Sequence, residues 1–362
     1  MKKLWKELID CGYKAVGTAE KLKAEALLFD ALRKISCDAY RMEFAFDGWG
    51  TNGKNMLTME APQKRKLDCE VFLGSGSGTF AGVLRPIGKN IVWNMYAWDR
   101  YGVFQENKLV AYVSGRPEGG VLSQTLAEGN SAKPHFILGS DDNDVLKALL
   151  KDGKQVRISG CADTYTQSDM RGCNLVLPLK STEKKNKKIV LCAHYDTMYN
   201  TKGAYDNGAG AAVAVETAKL LKNNDIGSDV DVVLMDAEEC RLEGSRHYAL
   251  QANPDEIAFV INIDGIGRGD VMEVWCGPES FERKIIELLQ ADAEFPNKVY
   301  KNPPPPGSDH APFYERGVDV CMFTVNDQDI IHTPYDDYNE DMLRNMEKMP
   351  VFIEKVIKGL LH

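Results

Sequence analysis

Residues 187–223 read KKIVLCAHYDTMYNTKGAYDNGAGAAVAVETAKLLKN. Positions 189–193 are an unbroken apolar run, the pattern of a strand buried on both faces rather than the alternation of a half-exposed one. A polar stretch with His194 and Asp196 follows, and then residues 208–223 begin with small residues and continue at helical spacing. A buried strand, a polar turn and a helix make the repeating unit of a parallel sheet. The same texture recurs on both sides. NLVLPL (174–179), DVDVVLM (229–235), IAFVINIDG (257–265) and VDVCMFTV (318–325) read as strands. GSRHYALQA (244–252), FERKIIELLQADAE (281–294) and MPVFIEKVIKGLL (349–361) read as helices. The expected fold is therefore α/β, a mostly parallel mixed central sheet covered by helices on both faces.

Upstream the texture changes. Residues 18–37 have apolar positions at helical spacing behind Thr18, a plausible helix cap. Residues 66–165 hold short strand-like pieces (KLVAYVSG, KPHFILG, KQVRISG) and one helix-like segment, DNDVLKALLKDGK, with no candidate chemistry. The expected organisation is a main domain from 1–65 and 166–362, interrupted by a smaller, mainly β inserted domain at 66–165. Asp141, Asp142 and Asp144 read as acids at a helix start, where the dipole favours them. His135 and His247 read as structural.

Composition narrows the function. The 362 residues carry 44 Lys+Arg against 53 Asp+Glu, a net charge of −9, which disfavours a phosphate backbone as partner. The nine cysteines are an odd number and scattered, with no C-x-x-C, which points to reducing cytoplasm. The basic N-terminus lacks the apolar core of a signal peptide, and no window reaches the ~18 apolar residues of a membrane span. The expected location is cytoplasmic, with no membrane and no nucleic-acid partner.

Five segments place acidic or histidine residues just past an apolar run: His194 and Asp196; Asp206; Asp236, Glu238 and Glu239; Asp264; and His332, Asp336 and Asp337. Singly each has a plain explanation, since a lone Asp in D-N-G is usually a turn residue. Together they crowd the strand C-terminal ends, where open α/β sheets place their sites. Nitrogen and oxygen ligands without a thiolate cluster suit catalytic zinc, or manganese or cobalt.

The ordered set H-Y-D, D-N-G-A-G, D-A-E-E-x-x-x-x-G-S, N-I-D-G, G-S-D-H-A-P-F and I-H-T-P-Y-D resembles the zinc-dependent exopeptidases of metallopeptidase family 28. That family includes aminopeptidases, glutamate carboxypeptidases, glutaminyl cyclases and a non-catalytic receptor. The likeness covers residues 170–362 continuously and extends to the N-terminal helix. It implies two divalent ions per chain, zinc first, with Asp206 bridging them. His194 and Asp264 would complete one ion, and Glu239 and His332 the other. Glu238 would be the general base toward a hydroxide shared by the two zincs, and Asp196 would orient His194 by accepting its hydrogen bond. Asp336 matches an outer position, and a cis peptide is implied at Asp206–Asn207. Tyr205 stands where many relatives have an acid. His310, in G-S-D-H, and Arg268, just past Asp264, are candidates for contact with substrate. The segment 66–165 resembles a protease-associated lid. The implied function is an aminopeptidase acting on peptides. The alternatives are a carboxypeptidase releasing a C-terminal acidic residue and a receptor-like homologue without turnover. A homo-oligomer stays open.

Overall fold

The computed structural model describes residues 1–92, 96–182, 187–290 and 292–361. The chain forms two compact units, one of Met1–Phe46 with Met170–His362 and one of Asp47–Asp169. The second unit is wider than the 66–165 stretch read from sequence texture.

The first unit is built on an eight-stranded sheet. Its strands are β1 (Tyr40–Thr51), β2 (Thr164–Leu179), β3 (Lys188–His194), β4 (Val230–Met235), β5 (Ile257–Ile266), β6 (Val271–Gly277), β7 (Asn297–Lys301) and β8 (Val320–Val325). They lie in the order β1-β2-β4-β3-β5-β8-β6-β7. The four central strands, β4, β3, β5 and β8, run parallel. They are flanked by antiparallel neighbours, β2 against β4 and β6 against β8. Helices cover both faces, as the unbroken apolar strands require. One face packs α1 (Lys2–Asp10), α2 (Ala19–Ile35), α3 (Gly210–Asn224), α5 (Glu279–Leu289) and α6 (Met349–Leu361). Trp5, Leu28, Val213, Ile285 and Phe352 from these helices share a core with Leu191, Ile261 and Phe323 of the strands. The opposite face sets Tyr248 and Ala249 of α4 (Glu243–Gln251) against Val190, Val233 and Val260. Parallel strands end together, so the loops after β3, β4, β5 and β8 converge at one edge of the sheet.

Helix α2 begins where Thr18 accepts the backbone N–H of Lys21. One turn in, Lys21 is buried and donates to Asp236 at 2.7 Å, so Asp236, the first acid of D-A-E-E, is an ion-pair partner in the core.

The second unit carries its own eight-stranded sheet, mostly antiparallel, from Met56–Ala61 to Arg157–Ala162, with one helix, Ser140–Lys151. Asp142, in the first turn of that helix, is buried, accepts the N–H of Asp68 at 2.8 Å and pairs with Arg65. The acidic cluster is thus a helix-start device. His135 is buried with Nε2 at 2.9 Å from Ser114 Oγ. Burial, with Arg100 adding to it, pushes its pKa down to about 3. An unfolded histidine titrates near 6.5, so between these values the unfolded chain binds the extra proton. The stability this gives the neutral ring is complete above about 6.5 and drains as pH falls toward 3, approaching about 1.4 kcal/mol per pH unit. Thermal melts from pH 7.5 to 5 check this. His135→Gln, which keeps a polar group toward Ser114, flattens the acid limb; an acid limb identical to wild type contradicts the assignment.

Candidate metal centre

The converging loops bring the strand-end residues into two triads that share one carboxylate, every member buried except the partly buried Asp264. His194, Asp206 and Asp264 form the first, and Asp206, Glu239 and His332 the second. Within each triad one ligand atom per residue lies within 4.8 Å of the others. His194 Nε2 is 3.0 Å from Asp206 Oδ1 and 3.3 Å from Asp264 Oδ1. His332 Nε2 is 3.0 Å from Asp206 Oδ2 and 3.3 Å from Glu239 Oε2. The two oxygens of Asp206 therefore face two different imidazoles. Glu238 belongs to neither triad; its Oε2 is 4.0 Å from His194 Nε2.

The local backbone explains how these side chains are held. After β3 the chain turns through Gly203, at φ +61, where a Cβ would come 2.3 Å from the carbonyl oxygen of Asp206. The Asp206–Asn207 peptide is cis, as the family resemblance implied. Asn207 then staples the turn to β5. Its amide donates to Ile263 O at 2.8 Å and accepts from Gly210 N and Gly265 N at 3.0 and 3.2 Å. Asp336 accepts the backbone N–H of Tyr205 at 2.6 Å and of Asp206 at 3.1 Å, fixing the bridging residue from behind. Ala237 and His332, both non-glycine, sit in the left-handed region at φ +57 and +56. Such conformations cost energy and collect at functional sites.

Asp196 has two contacts. Its carboxylate accepts the N–H groups of Glu238 and Glu239 at 3.0 and 3.2 Å, holding the turn after β4. It lies 3.6 Å from His194 Nδ1, whose nearer acceptor is the Asp196 carbonyl at 3.2 Å. Either acceptor puts the proton on Nδ1 and leaves the Nε2 lone pair facing the carboxylates. Asp264 is held by Ser308, which donates to Oδ2 at 2.5 Å and receives from Asn262 at 2.7 Å. Ser308 and the buried Asp309 belong to G-S-D-H, but sequence reasoning had singled out only His310 there.

Electrostatics reflect crowded carboxylates. Burial pushes Glu238 well above the ordinary carboxylate range, with Glu239 and Asp264 adding to it against His194. Burial likewise takes Glu239 up to about 8, opposed by His332 and assisted by Asp206. Burial opposes charge on Asp206, but the neighbouring His194 and His332 outweigh it and hold this group low. Burial also opposes charge on His194, yet Glu238 and Asp264 raise it well above its ordinary value. Like charges this close, taken out of water, need a compensating cation. Asp206 Oδ1 is buried with no hydrogen-bond donor. An N/O donor set with that orphaned oxygen facing His194 and its twin facing His332 fits a pair of divalent ions.

The remaining candidates lie elsewhere. Arg268 is not brought to the cluster; it grips Asp327 with two bonds of 2.6 Å. His310 is buried, with Nε2 at 2.8 Å from Pro305 O, and burial lowers its pKa to about 4. It is a neutral ring bound to the run of prolines at 303–306. Tyr205 is buried with its ring packed on Gly265, where a Cβ would come within 2.7 Å, and its hydroxyl reaches Thr324.

A model of peptidase family M28 matches residues 174–355, which contains every residue of both triads. The chain belongs to peptidase family M28. Among its relatives, the aminopeptidase YwaD of Bacillus subtilis is 28% identical over 191 residues, 45% of this chain and 39% of that protein. A vacuolar membrane protease of Schizosaccharomyces pombe is 23% identical over 222 residues, 55% of this chain and 25% of that protein. The chain thus matches well under two thirds of the length of these relatives. Solved structures share the fold along nearly the whole chain. An aminopeptidase from Aneurinibacillus sp. strain AM-1 superposes with a TM-score of 0.75 at 16% identity, covering 99% of this chain and 92% of that one. A zinc aminopeptidase from Bacillus subtilis gives 0.73 at 18%, covering 99% and 93%. Among the described residues of this M28 chain, no helix is long and apolar enough to cross a membrane.

Proposed function

We propose that this M28 chain is a metal-dependent exopeptidase, an aminopeptidase that removes residues from the N-terminus of peptides. The observation that carries the reading is the pair of triads sharing Asp206, with Glu238 beside His194 and in neither triad. His194 and Asp264 would hold one ion, Glu239 and His332 the other, and Asp206 would bridge; zinc suits this donor set. When bound, such a pair supplies a Lewis acid for the scissile carbonyl and lowers the pKa of a shared water.

The chain's own residues do the rest. Glu238, its carboxylate raised by burial, accepts a proton from the attacking water and passes it to the leaving amine. Asp196 fixes where Glu238 begins by holding its N–H, and the same bond to Glu239 keeps base and ligand in register. Ser308 occupies Asp264 Oδ2, leaving Oδ1 toward His194. The aminopeptidase names of several relatives support the choice of the N-terminal end. A carboxypeptidase needs basic residues to hold the terminal carboxylate of its substrate, and Arg268, the first candidate for that role, is engaged by Asp327.

Hydrolysis of a panel of aminoacyl-p-nitroanilides, with and without chelator, tests the reading. Release that chelator abolishes and zinc restores is expected. Release only from N-terminally blocked peptides bearing a free C-terminus would overturn the aminopeptidase assignment.

A further inference from the structure

Residues 1–46 lie outside the 174–355 stretch matched by the family, yet they belong to the same compact unit and reach the loop that carries Asp206. Trp5, on α1, is fully buried and donates from Nε1 to Ala204 O at 2.8 Å, two residues before Asp206. Its ring also meets Tyr338, two residues past Asp336, with centroids 5.0 Å apart. Lys14, in the connection between α1 and α2, is fully buried too. Its ammonium donates to the carbonyl of Lys202, four residues before Asp206. Its backbone clasps the same loop: the Lys14 N–H donates to Thr197 Oγ1 at 2.9 Å, and the Lys14 carbonyl accepts the Thr197 N–H at 3.3 Å.

A buried lysine is costly unless its donors and charge are met. Here no carboxylate forms a direct ion pair among those described for it; the donors go to the carbonyls of Gly12 and Lys202, and the surrounding negative field comes first from Asp336, then Cys11, Asp196 and Asp206. Its placement thus ties the α1–α2 connection to a carbonyl of the loop.

We infer that Trp5 and Lys14 are positioning residues that preset the Gly203–Asp206 backbone, so that the Asp206 carboxylate stands between the two imidazoles before any ion arrives. The inference rests on the two-ion reading of the site. Partners one step behind a ligand typically set metal affinity by about 10–100-fold.

The test uses the full chain, stripped of metal and titrated with zinc at 25 °C. Trp5→Phe keeps the ring and loses one donor; Lys14→Gln keeps an amide donor and loses length and charge. Leu28→Ala, a core truncation on α2 away from the loop, is the control for general destabilisation. The expected result is two zinc ions bound by wild type, and half-saturation shifted by about tenfold or more in Trp5→Phe and Lys14→Gln but not in Leu28→Ala. In turnover the same two variants lose kcat with KM little changed. Wild-type zinc affinity in folded Trp5→Phe overturns the inference, and that variant decides alone if Lys14→Gln does not fold. An equal shift in Leu28→Ala also overturns it, since general loosening would then account for the effect. Wild type binding no zinc overturns the two-ion reading itself and this inference with it.

Discussion

Replacing Glu238 by glutamine lowers kcat by about 10²–10⁴-fold, the usual contribution of a positioned general base. The change is nearly isosteric, so the Asp196 bonds to the Glu238 and Glu239 N–H groups survive. Neither triad loses a ligand, because Glu238 is in neither. Bound zinc is therefore unchanged while turnover collapses. The substitution also removes a carboxylate that burial and like-charge neighbours disfavour in its ionised form, so the metal-free protein melts no lower than wild type. Parallel measurement of turnover, zinc content and melting temperature checks all three. Activity within tenfold of wild type would remove Glu238 from the chemistry.

Asp206→Ala has the second large effect, and its signature differs. Asp206 is the one residue common to both triads, one oxygen toward each histidine. Its loss weakens both ion positions together, whereas loss of Asp264 or Glu239 weakens one. A metal pair contributes several kcal/mol to transition-state stabilisation, so turnover falls by at least about 10³-fold. Zinc also ceases to raise the melting temperature, since that increment reflects binding to the folded state. A variant that keeps its full zinc-induced stabilisation would show that Asp206 does not bridge.

Much of this site was legible in the sequence because of one regularity. Unbroken apolar strands are visible in a single chain, and the acidic or histidine residues that close or follow four of them meet where parallel strands end. His194, Glu239, Asp264 and His332 stand out as candidates that way, while their grouping around a bridging Asp206 is what the family resemblance implies. What sequence could not supply was the identity of backbone partners. Asp336 stood out by its spacing from His332, yet its target, the two N–H groups flanking the bridge, depends on how two loops cross. Trp5 and Lys14 gave no local signal at all, because a lysine before a turn is ordinarily solvated. Arg268 misled through its nearness in sequence to Asp264. Strands β5 and β8 are parallel neighbours, so residues following each emerge side by side, and Arg268 meets Asp327 there instead of the cluster. The width of the second unit was missed for a related reason. Strand β1 (Tyr40–Thr51) runs across the division between units, and the strand Met56–Ala61 pairs with Arg157–Ala162 from the far end of the segment.

The central claim is that two divalent ions share one carboxylate in this fold. The most direct measurement is the metal content of the purified chain by elemental analysis, after equilibration with zinc and removal of loosely held metal. The account predicts two ions per chain. One ion per chain, or none, would contradict it.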